Sequence, residues 1–486
     1  MFWQGITSSS PIKFGTDGWR GVIGAEFTFE RLIRAAQAAA LVLNTTYGPS
    51  THSQQIIVGY DRRFLAEEFA QAVAETLKDL GFDVLLANQF APTPAFSWAV
   101  KQHKALGALV ITASHNPGIY SGLKVKGAFA GSVPPEVTEK IEEELTRPHL
   151  HVQARTGSMT PFDPWPSYCQ ALQQKVDLPA IQTAIKTHHL TVWADVMHGS
   201  AAGGLGRILG QPIHELNSGR DPLFSGGAPE PIGKYLQASC ARIRQAAQET
   251  QGKTVGLVFD GDADRIAAID AQGNLLTAQQ LIPILIDHLT VQHGYRGEVI
   301  KSISSSDLIP KVVALHGLSL YETPIGFKYI GDRMLMGGDV LLGGEESGGI
   351  GYGNHTPERD ALLSALYVLE AVVKSGLDLA AYYQSLQVKT GFTSYYDRID
   401  LHLPNLAAKD NLQHLLETNP PQTVLETPVE KLQTIDGFKF HLGDHGWLLI
   451  RFSGTEPLLR LYCESISPER VQATLNWAKA WAETIS

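Results

Sequence analysis

The chain has 486 residues, enough for about three or four domains of ordinary size. Hydrophobic residues make up 44% and charged residues 18%, which excludes a disordered, collagen-like or coiled-coil chain. Its 39 Lys and Arg against 49 Asp and Glu give a net charge of −10, which argues against nucleic acid or an anionic membrane as a partner.

A strand, an amphipathic helix and a second strand recur three times along the chain. In the first unit, Phe69, Val73, Leu77 and Leu80 recur at the spacings of a helix. The first and third units both end in Thr-Pro. This alternation predicts three similar α/β domains with mixed, largely parallel sheets. The units comprise strands 55–61 and 81–86 around helix 66–80, strands 191–199 and 212–216 around helix 201–209, and strands 298–301 and 317–321 around helix 307–316.

The last hundred residues follow a different pattern, which predicts a separate α+β domain. Strands are expected over 388–403, 438–441 and 447–452, and helices over 407–418 and 468–484. Candidate linkers lie at 146–166 and 379–389. The predicted domains are 1–155, 156–272, 273–385 and 386–486.

The three cysteines indicate where the protein is found. The number of cysteines is odd and their spacing is wide, at Cys169, Cys240 and Cys463. This pattern favours neither a disulfide framework nor a structural zinc site. The N-terminus lacks a signal-peptide pattern, and no apolar stretch of the sequence reaches the ~18 residues of a membrane span. We therefore expect a cytoplasmic location.

A serine follows the apolar strand 108–111, in the sequence TASHNP. A hydroxyl at the end of a buried strand is well placed to act as a nucleophile, and this serine is Ser114. The adjacent His115 is not thereby its base, because neighbouring residues point in different directions. Lys124 lies ten positions further on. The alternative is a serine that only caps the turn.

Three carboxylates, those of Asp260, Asp262 and Asp264, stand at alternate positions after the strand 255–258. Such carboxylates can converge on one divalent cation, and hard oxygen ligands favour Mg²⁺. An EF-hand is excluded because its required glycine and glutamate are absent. A solvated acidic loop is the alternative, but like charges beside a buried strand are costly without a cation. The neighbouring Arg265 is suited to a phosphate.

A glycine-rich segment over 343–349 presents Glu345, Glu346 and Ser347. Carboxylates and a hydroxyl match the hydroxyl groups of a sugar, although taken alone the segment is better interpreted as a glycine-rich turn. Lys328 and Arg359 stand nearby in the sequence. They are candidates for cationic contacts or for ordinary surface charges.

A second glycine-centred turn follows the strand at 447–450. Arg451, Ser453, Gly454 and Thr455 combine a guanidinium, hydroxyls and backbone N–H groups in a plausible phosphate cradle, with an ordinary hydroxyl-rich turn as the alternative.

One more arginine, Arg20, lies in a glycine-rich loop near the N-terminus, where a tight turn is the alternative. A nucleophilic hydroxyl, a hard-cation site, a sugar-binding loop and a phosphate cradle together favour phosphoryl transfer on a sugar phosphate. Positioning and charge neutralisation supply most of the catalysis in that chemistry.

Four segments resemble the four signatures of the α-D-phosphohexomutase family. They are TASHNP at 112–117, DGDADR at 260–265, GEESGG at 344–349 and RFSGTEP at 451–457. They stand in the family's order and at its approximate spacing, and the resemblance covers essentially the whole chain. It implies four domains around a central cleft, three of them similar α/β domains and the last an α+β domain.

The resemblance also implies a reaction, in which a phosphoserine exchanges its phosphoryl group with a hexose phosphate. The implied cofactors are Mg²⁺ and glucose 1,6-bisphosphate, the latter as intermediate and activator. Lys124 would be the general acid/base, and we expect burial beside other cations to lower its pKa. The implied catalytic residues are Ser114, Lys124, His115 and Arg265; the metal ligands are Ser114, Asp260, Asp262 and Asp264; and the substrate ligands are Arg20, Lys328, Glu345, Ser347, Arg359, Arg451, Ser453, Gly454 and Thr455.

The preferred substrate is glucose phosphate, because Glu346 makes the third signature resemble that of phosphoglucomutases. Gly349 differs from the residue that is usual in mannose enzymes, and Ile325 differs from the residue that is usual in glucose enzymes. The alternatives are a mutase of mannose, glucosamine or pentose phosphates and a non-catalytic sugar-phosphate-binding protein. A further alternative is a phosphatase with an aspartyl nucleophile, but the presence of Arg265 argues against it. The expected partner is a hexose phosphate, without nucleic acid or membrane, and the expected state is a monomer or weak dimer.

Overall fold

The structure of the chain, a computed structural model, describes residues 11–15, 17–147, 156–453 and 457–485. Within them, four sheets of four to six strands follow one another along the chain, and each sheet marks one domain. None of the described helices has the combination of length and apolar character that a membrane span requires.

The first domain is built on a mixed sheet of six strands in the order β1-β5-β4-β2-β3-β6. The strands β2, β3, β4 and β6 are parallel, while β5 runs antiparallel to β4 and to β1. The elements are β1 (Trp19–Val22), α1 (Phe29–Thr51), β2 (Gln55–Tyr60), α2 (Ala66–Asp79), β3 (Asp83–Ala87), α3 (Thr93–His103), β4 (Gly107–Ile111), β5 (Tyr120–Gly127), α4 (Pro135–Leu145) and β6 (Met159–Phe162).

The helix α2 shows how the sequence pattern produces this layering. Phe69, Val73 and Leu77 are all buried, so the predicted apolar face packs on the sheet. The helix ends at Asp79, and Gly81 follows with a φ of 92°, which an L side chain rarely adopts. The predicted first unit is therefore confirmed. The last strand of this sheet, β6, pairs with β3 although it follows the predicted boundary at residue 155.

The second domain has a five-stranded sheet in the order β11-β10-β9-β7-β8. The strand β7 is parallel to β8 and β9, and β9 and β10 form an antiparallel hairpin. The elements are α5 (Trp165–Gln173), α6 (Leu178–Lys186), β7 (Leu190–Asp195), α7 (Gly204–Leu209), β8 (His214–Leu216), α8 (Gln237–Glu249), β9 (Lys253–Phe259), β10 (Ile266–Ile269) and β11 (Leu275–Leu276).

The third domain has a four-stranded sheet in the order β13-β12-β14-β15. The strand β12 is parallel to β13 and β14, and β14 and β15 form an antiparallel hairpin. The elements are α9 (Ala278–Gln292), β12 (Glu298–Ser302), α10 (Leu308–Leu315), β13 (Ser319–Thr323), α11 (Phe327–Leu335), β14 (Val340–Gly344), β15 (Ile350–Tyr352), α12 (Ala361–Ser375) and α13 (Leu379–Thr390).

The first three domains carry their signature segments at the same place. Each segment connects an antiparallel hairpin beside parallel strands: β4 to β5, β9 to β10 and β14 to β15. The predicted three-fold repeat of α/β domains is therefore confirmed. The loops of three equivalent hairpins can meet in one cleft, because loops at the ends of buried strands are where α/β folds bind ligands.

The fourth domain is an antiparallel sheet in the order β16-β22-β21-β20-β19, with a separate apolar core. The predicted α+β class of this domain is confirmed. Its elements are β16 (Tyr395–His402), α14 (Leu406–Thr418), β17 (Thr423–Val424), β18 (Thr427–Pro428), β19 (Lys431–Gln433), β20 (Phe438–His441), β21 (Trp447–Phe452), β22 (Leu458–Ser465) and α15 (Pro468–Ile485).

Two expectations around α13 were wrong. Residues 388–390 belong to this helix rather than to a strand, and the predicted linker at 379–389 is the helix itself. Asp378 caps its first turn by accepting a hydrogen bond from Ala381 N, and Gly391 ends it in the left-handed region. Leu379, Tyr382 and Leu386 recur at helical spacing and are buried.

Candidate active site

The hydroxyl group of Ser114 lies in the turn between β4 and β5. The residue has a φ of 52°, a left-handed conformation that is strained for a residue with a side chain. Its N–H donates to Thr112 Oγ1 and its Oγ donates to Asp260 Oδ2, each at 2.9 Å. Its side chain is buried. The turn therefore holds a buried hydroxyl against the acidic loop of the second domain.

Arg63, which follows β2, holds this turn in place. The guanidinium is fully buried, and its Nε lies 3.2 Å from Asp61 Oδ2. It donates to four carbonyl oxygens of the turn: those of Ser114 at 2.6 Å, Asn116 at 2.7 Å, Pro117 at 3.0 Å and Tyr120 at 3.1 Å. Only arginine has enough donors for this set.

The three aspartates of the β9–β10 loop lie against the same turn. Their carboxylates are buried and have oxygens within 4.8 Å of one another. Gly261 allows this approach, because a Cβ there would lie 2.4 Å from the carbonyl oxygen of Ser114. Asp260 Oδ1 accepts the N–H groups of Asp264 and Arg265, both at 3.1 Å. Burial and the neighbouring carboxylates raise the pKa of Asp260 well above its ordinary value.

Two oxygens of this trio suit a cation. Asp262 Oδ1 and Asp264 Oδ1 are buried, and neither accepts a hydrogen bond from the part of the chain that the structure describes. Buried carboxylate oxygens without donors are costly, and oxygen ligands from carboxylates are those that Mg²⁺ prefers. The residues present therefore fit a hard divalent cation beside Ser114.

The ammonium group of Lys124 reaches the acidic loop from β5. Its Nζ lies 2.7 Å from a carboxylate oxygen of each of Asp17, Asp262 and Asp264. Burial alone would lower the pKa of Lys124, but these three carboxylates raise it above its ordinary value. The expectation of a lowered pKa was wrong, because the nearest charges are carboxylates rather than cations.

One neutral and two positively charged nitrogen groups lie near the Ser114 turn. His115 Nδ1 lies 3.5 Å from Ser114 Oγ. Burial, with the charges of Arg265 and Arg20, lowers the pKa of His115 well below its ordinary value, so the imidazole is neutral. Arg20 Nη1 donates to Asn116 Oδ1 at 2.7 Å. The hydroxyl thus lies among groups that suit a phosphoryl group.

The signature loop of the third domain packs directly on the acidic loop. Ile266 N donates to the carbonyl oxygen of Gly348 at 3.0 Å, and Arg265 pairs with Gly349 in a single β-bridge. Gly348 has a φ of 102°, and a Cβ there would lie 2.7 Å from the carbonyl oxygen of Ile266. A glycine is therefore required where the second and third domains meet.

Arg359 joins the loops of three domains at one point. Its Nη2 lies 2.5 Å from Asp17 Oδ2 and 2.7 Å from Asp264 Oδ2, and its Nη1 lies 3.5 Å from Glu345 Oε1. Burial raises the pKa of Glu345, although Arg359 acts to lower it. Ser347 lies two residues further along the same loop. The structure thus brings Glu345 and Arg359 to the acidic trio.

Glu346 is held by hydroxyl groups at the end of β12. Its Oε2 accepts hydrogen bonds from Ser302 Oγ at 3.1 Å and from Ser304 Oγ at 2.6 Å. On α11, Lys328 lies over the ring of Tyr329, 4.7 Å from its centroid. The Glu346 side chain is thus directed toward β12, and Lys328 lies on a helix of the same domain.

The predicted phosphate cradle lies in the fourth domain. Arg451 and Ser453 line a cavity of about 550 Å³, and Arg451 Nε donates to Asp436 Oδ1 at 2.9 Å. Asp436 Oδ2 accepts the N–H of Ile325 at 2.9 Å, which ties this domain to the third. The other two predicted residues of the cradle, Gly454 and Thr455, lie outside the described residues.

Comparison with known families identifies the architecture. Models of the phosphoglucomutase/phosphomannomutase domains I, II and III and of the C-terminal domain match residues 11–150, 166–273, 277–389 and 405–476. The chain belongs to the phosphoglucomutase/phosphomannomutase family. The α-D-phosphohexomutase resemblance is thereby confirmed, and the protein is an enzyme of the isomerase class, an intramolecular phosphotransferase.

Known relatives of this phosphohexomutase carry several names. A phosphoglucosamine mutase from Desulforamulus reducens is 29% identical over 475 residues, covering 95% of this chain and 97% of the relative. A phosphoglucomutase/phosphomannomutase from Thermococcus kodakarensis is 28% identical over 475 residues, covering 95% and 96%. A solved structure of a Thermus thermophilus protein, for which phosphomannomutase activity has been proposed, is 34% identical with a TM-score of 0.83, covering 98% and 99%.

Three residues of this phosphohexomutase site were not among those predicted from the sequence. Asp17 binds both Lys124 and Arg359, and it lies in the glycine-rich loop that pointed only to Arg20. Thr93 Oγ1 donates to Asp262 Oδ2 at 2.6 Å, and the repeated Thr-Pro was its signal in the sequence. Arg63 had no comparable signal, because its partners are backbone carbonyl groups.

Proposed function

We propose that this phosphohexomutase interconverts glucose 1-phosphate and glucose 6-phosphate through a phosphoserine at Ser114. The observation that carries the proposal is the buried Ser114 hydroxyl against three buried aspartates, two of which have oxygens without donors. Phosphoryl transfer needs such a place, where water is excluded and charge is neutralised.

In the proposed first half-reaction, the bond between phosphorus and Ser114 Oγ breaks as a sugar hydroxyl oxygen bonds to the phosphorus. The product is glucose 1,6-bisphosphate, and its other phosphoryl group returns to the serine in the second half. The hydroxyl proton passes to a basic group in the cleft, for which Lys124 Nζ in its deprotonated form is the candidate, and the departing Ser114 Oγ takes up a proton in turn. A divalent cation, proposed to be Mg²⁺ on Asp260, Asp262 and Asp264, would neutralise the negative charge of the transferring group. It would also bind the carboxylates that keep Lys124 protonated in this structure, which would allow Lys124 to lose its proton.

The remaining charges suit the transferring group. Arg20 is held by Asn116 in the Ser114 turn, and the charges of Arg20 and Arg265 both act on the adjacent His115. Guanidinium groups bind phosphoryl oxygens in pairs. The neutral His115 offers a hydrogen bond without adding charge. We propose that these three groups stabilise the phosphoryl group during its transfer.

The other loops are proposed to bind the rest of the substrate. Glu345, Ser347, Arg359 and Lys328 would contact the sugar. Their support is that Arg359 and Glu345 meet at the acidic trio, and that α11 begins with Phe327 beneath the Arg359 guanidinium at 5.5 Å. The phosphate that does not react would lie on the fourth domain, bound by Arg451, Ser453, Gly454 and Thr455.

Glucosamine phosphate is the second candidate substrate. The support for it is the phosphoglucosamine mutase name of the Desulforamulus relative, which is 29% identical. Glu346 supports glucose, because its carboxylate already accepts hydrogen bonds from two serine hydroxyls and is not free to pair with the ammonium group of glucosamine. A site that binds a hydroxyl discriminates against a charged group that it cannot pair.

The test is a mutase assay with glucose, mannose and glucosamine 1-phosphates in parallel, each with Mg²⁺ and a trace of its 1,6-bisphosphate. We expect the highest kcat/KM with glucose 1-phosphate. The Ser114→Ala variant should lose turnover with every sugar while keeping sugar-phosphate binding. Turnover by Ser114→Ala would refute the phosphoserine, and a preference for glucosamine would move the substrate but not the mechanism.

We also propose the predicted domain limits, a cytoplasmic location and a monomeric or weakly dimeric state. Light scattering of the purified chain at several concentrations measures the last of these. A mass near 52.9 kDa is expected at low concentration.

A further inference from the structure

Two histidines and a glutamate meet in the third domain, apart from the four signature loops. His288 lies in α9, His293 is the residue that caps α9, and Glu370 lies in α12. His288 Nε2 is 2.8 Å and His293 Nε2 is 2.7 Å from the same oxygen, Glu370 Oε2. The potential ligand atoms of the three residues lie within 4.8 Å of one another. Two rigid helices therefore present three donor atoms to one point.

The surroundings hold these groups in a fixed orientation. The other carboxylate oxygen, Glu370 Oε1, accepts the N–H of Asp177 at 2.6 Å. The ring of His293 stacks on Tyr295 at 5.0 Å and meets the edge of Tyr367 at 5.8 Å. A carboxylate bound from behind and rings packed by aromatic neighbours form a preorganised set.

The triad is accessible from one side. A cavity of about 370 Å³ is lined by His293 and Glu370, together with Asp177 and Lys374. The His293 side chain is 18% exposed whereas that of His288 is 1% exposed, so the cavity approaches the triad from the His293 side. The Lys374 ammonium at the mouth is paired with Asp177, which balances its charge. A small cation and a water molecule can therefore reach the three ligand atoms.

We propose that His288, His293 and Glu370 bind a divalent transition-metal ion, with Zn²⁺ the best fit. Two imidazole nitrogens and one carboxylate oxygen, with a fourth position open to water, are a zinc ligand set, whereas Mg²⁺ prefers oxygen ligands alone. Binding requires the ring proton on Nδ1. His288 Nδ1 is buried without a hydrogen-bond partner in the described chain, so no donor there competes for the ring nitrogen, and metal coordination has to offset the cost of an unpaired N–H.

The site joins α9 to α12 and, through Asp177, to the segment between α5 and α6. It lies on the scaffold rather than in the catalytic cleft. The metal therefore acts on the stability of the packing between the second and third domains, and the mutase reaction does not require it.

The test uses the full chain in excess Mg²⁺, added to fill the magnesium site proposed at the acidic trio. Co²⁺ is titrated as a coloured probe for Zn²⁺, and Zn²⁺ is then added to displace it. We expect one equivalent of Co²⁺ with the visible spectrum of a nitrogen-ligated tetrahedral site. The His293→Gln variant should lose this spectrum and weaken binding by at least about tenfold while keeping its mutase activity.

The matched control is His316→Gln, because His316 Nε2 makes a single hydrogen bond to Asp287 Oδ1 at 2.8 Å in the same domain. It should bind Co²⁺ as the parent chain does, and Zn²⁺ should raise the thermal unfolding midpoint of both. Absence of the spectrum in the parent chain, or unchanged binding by His293→Gln, would overturn the proposal. Retained mutase activity shows that His293→Gln is folded, so a loss of binding reports on the site itself.

Discussion

Arg63→Lys tests whether the phosphoserine turn depends on a buried guanidinium. Arg63 donates to four carbonyl groups of the turn and pairs with Asp61. A lysine keeps the charge but has three N–H donors, so at least two of these five contacts must be lost. Each buried hydrogen bond contributes about 1 kcal/mol, and a buried polar group left without a partner costs about 1–3 kcal/mol. We expect a loss of about 2–4 kcal/mol in the free energy of unfolding.

The effect on activity should be larger than the effect on folding. The Ser114 turn has a strained φ that only its surroundings maintain, and a displacement of the nucleophile by about 1 Å can reduce the rate by about 100-fold. We therefore expect kcat to fall by about 100-fold. The measurements are the mutase assay and urea unfolding followed by fluorescence.

The control is Arg34→Lys, because the exposed Arg34 donates to one carbonyl group, that of Leu145, at 3.1 Å. It should change neither kcat nor stability measurably. If folded Arg63→Lys kept a kcat within about twofold of the parent chain, the turn would not need the guanidinium and the reasoning from its contacts would be refuted.

Three further predictions concern packing, protonation and thiol chemistry. Gly261→Ala should reduce kcat by about 100-fold, since its Cβ would lie 2.4 Å from the Ser114 carbonyl oxygen, whereas Gly219→Ala has nothing within 4 Å and should be neutral in the same assay. Burial raises the pKa of Asp61 to about 6, so the folded chain binds a proton that the unfolded chain releases above about pH 4. The contribution of Asp61 to stability should therefore fall by up to about 3 kcal/mol as the pH rises from 4 to 6, and Asp61→Asn should reduce the slope in urea unfolding by this amount. Burial raises the pKa of the Cys169 thiol to about 11, so at pH 7.5 a disulfide reagent should label it slowly in the folded chain and rapidly in denaturant; fast labelling of the native chain would contradict this.

The chain's sequence was sufficient for the elements and the motifs. Apolar residues at helical spacing, such as Phe69, Val73 and Leu77, determine which helix face is buried, and this depends only on neighbours along the chain. The signature loops were recognisable because each is a contiguous run of residues with distinctive chemistry. The prediction of a strand at 388–390 was wrong. Val388 favours a strand locally, but Asp378 caps the start of the helix and Gly391 ends it, so these residues belong to the helix.

What tertiary structure alone decided is which charges meet. Lys124 stands 138 positions from Asp262, and its protonation depends on carboxylates from Asp17 and the second domain that no local pattern places beside it. Arg63 binds backbone carbonyl groups, which every residue has, so its role leaves no trace in the sequence. Electrostatic energies depend on distance and burial in space, and these are set by the packing of whole domains rather than by the order of residues.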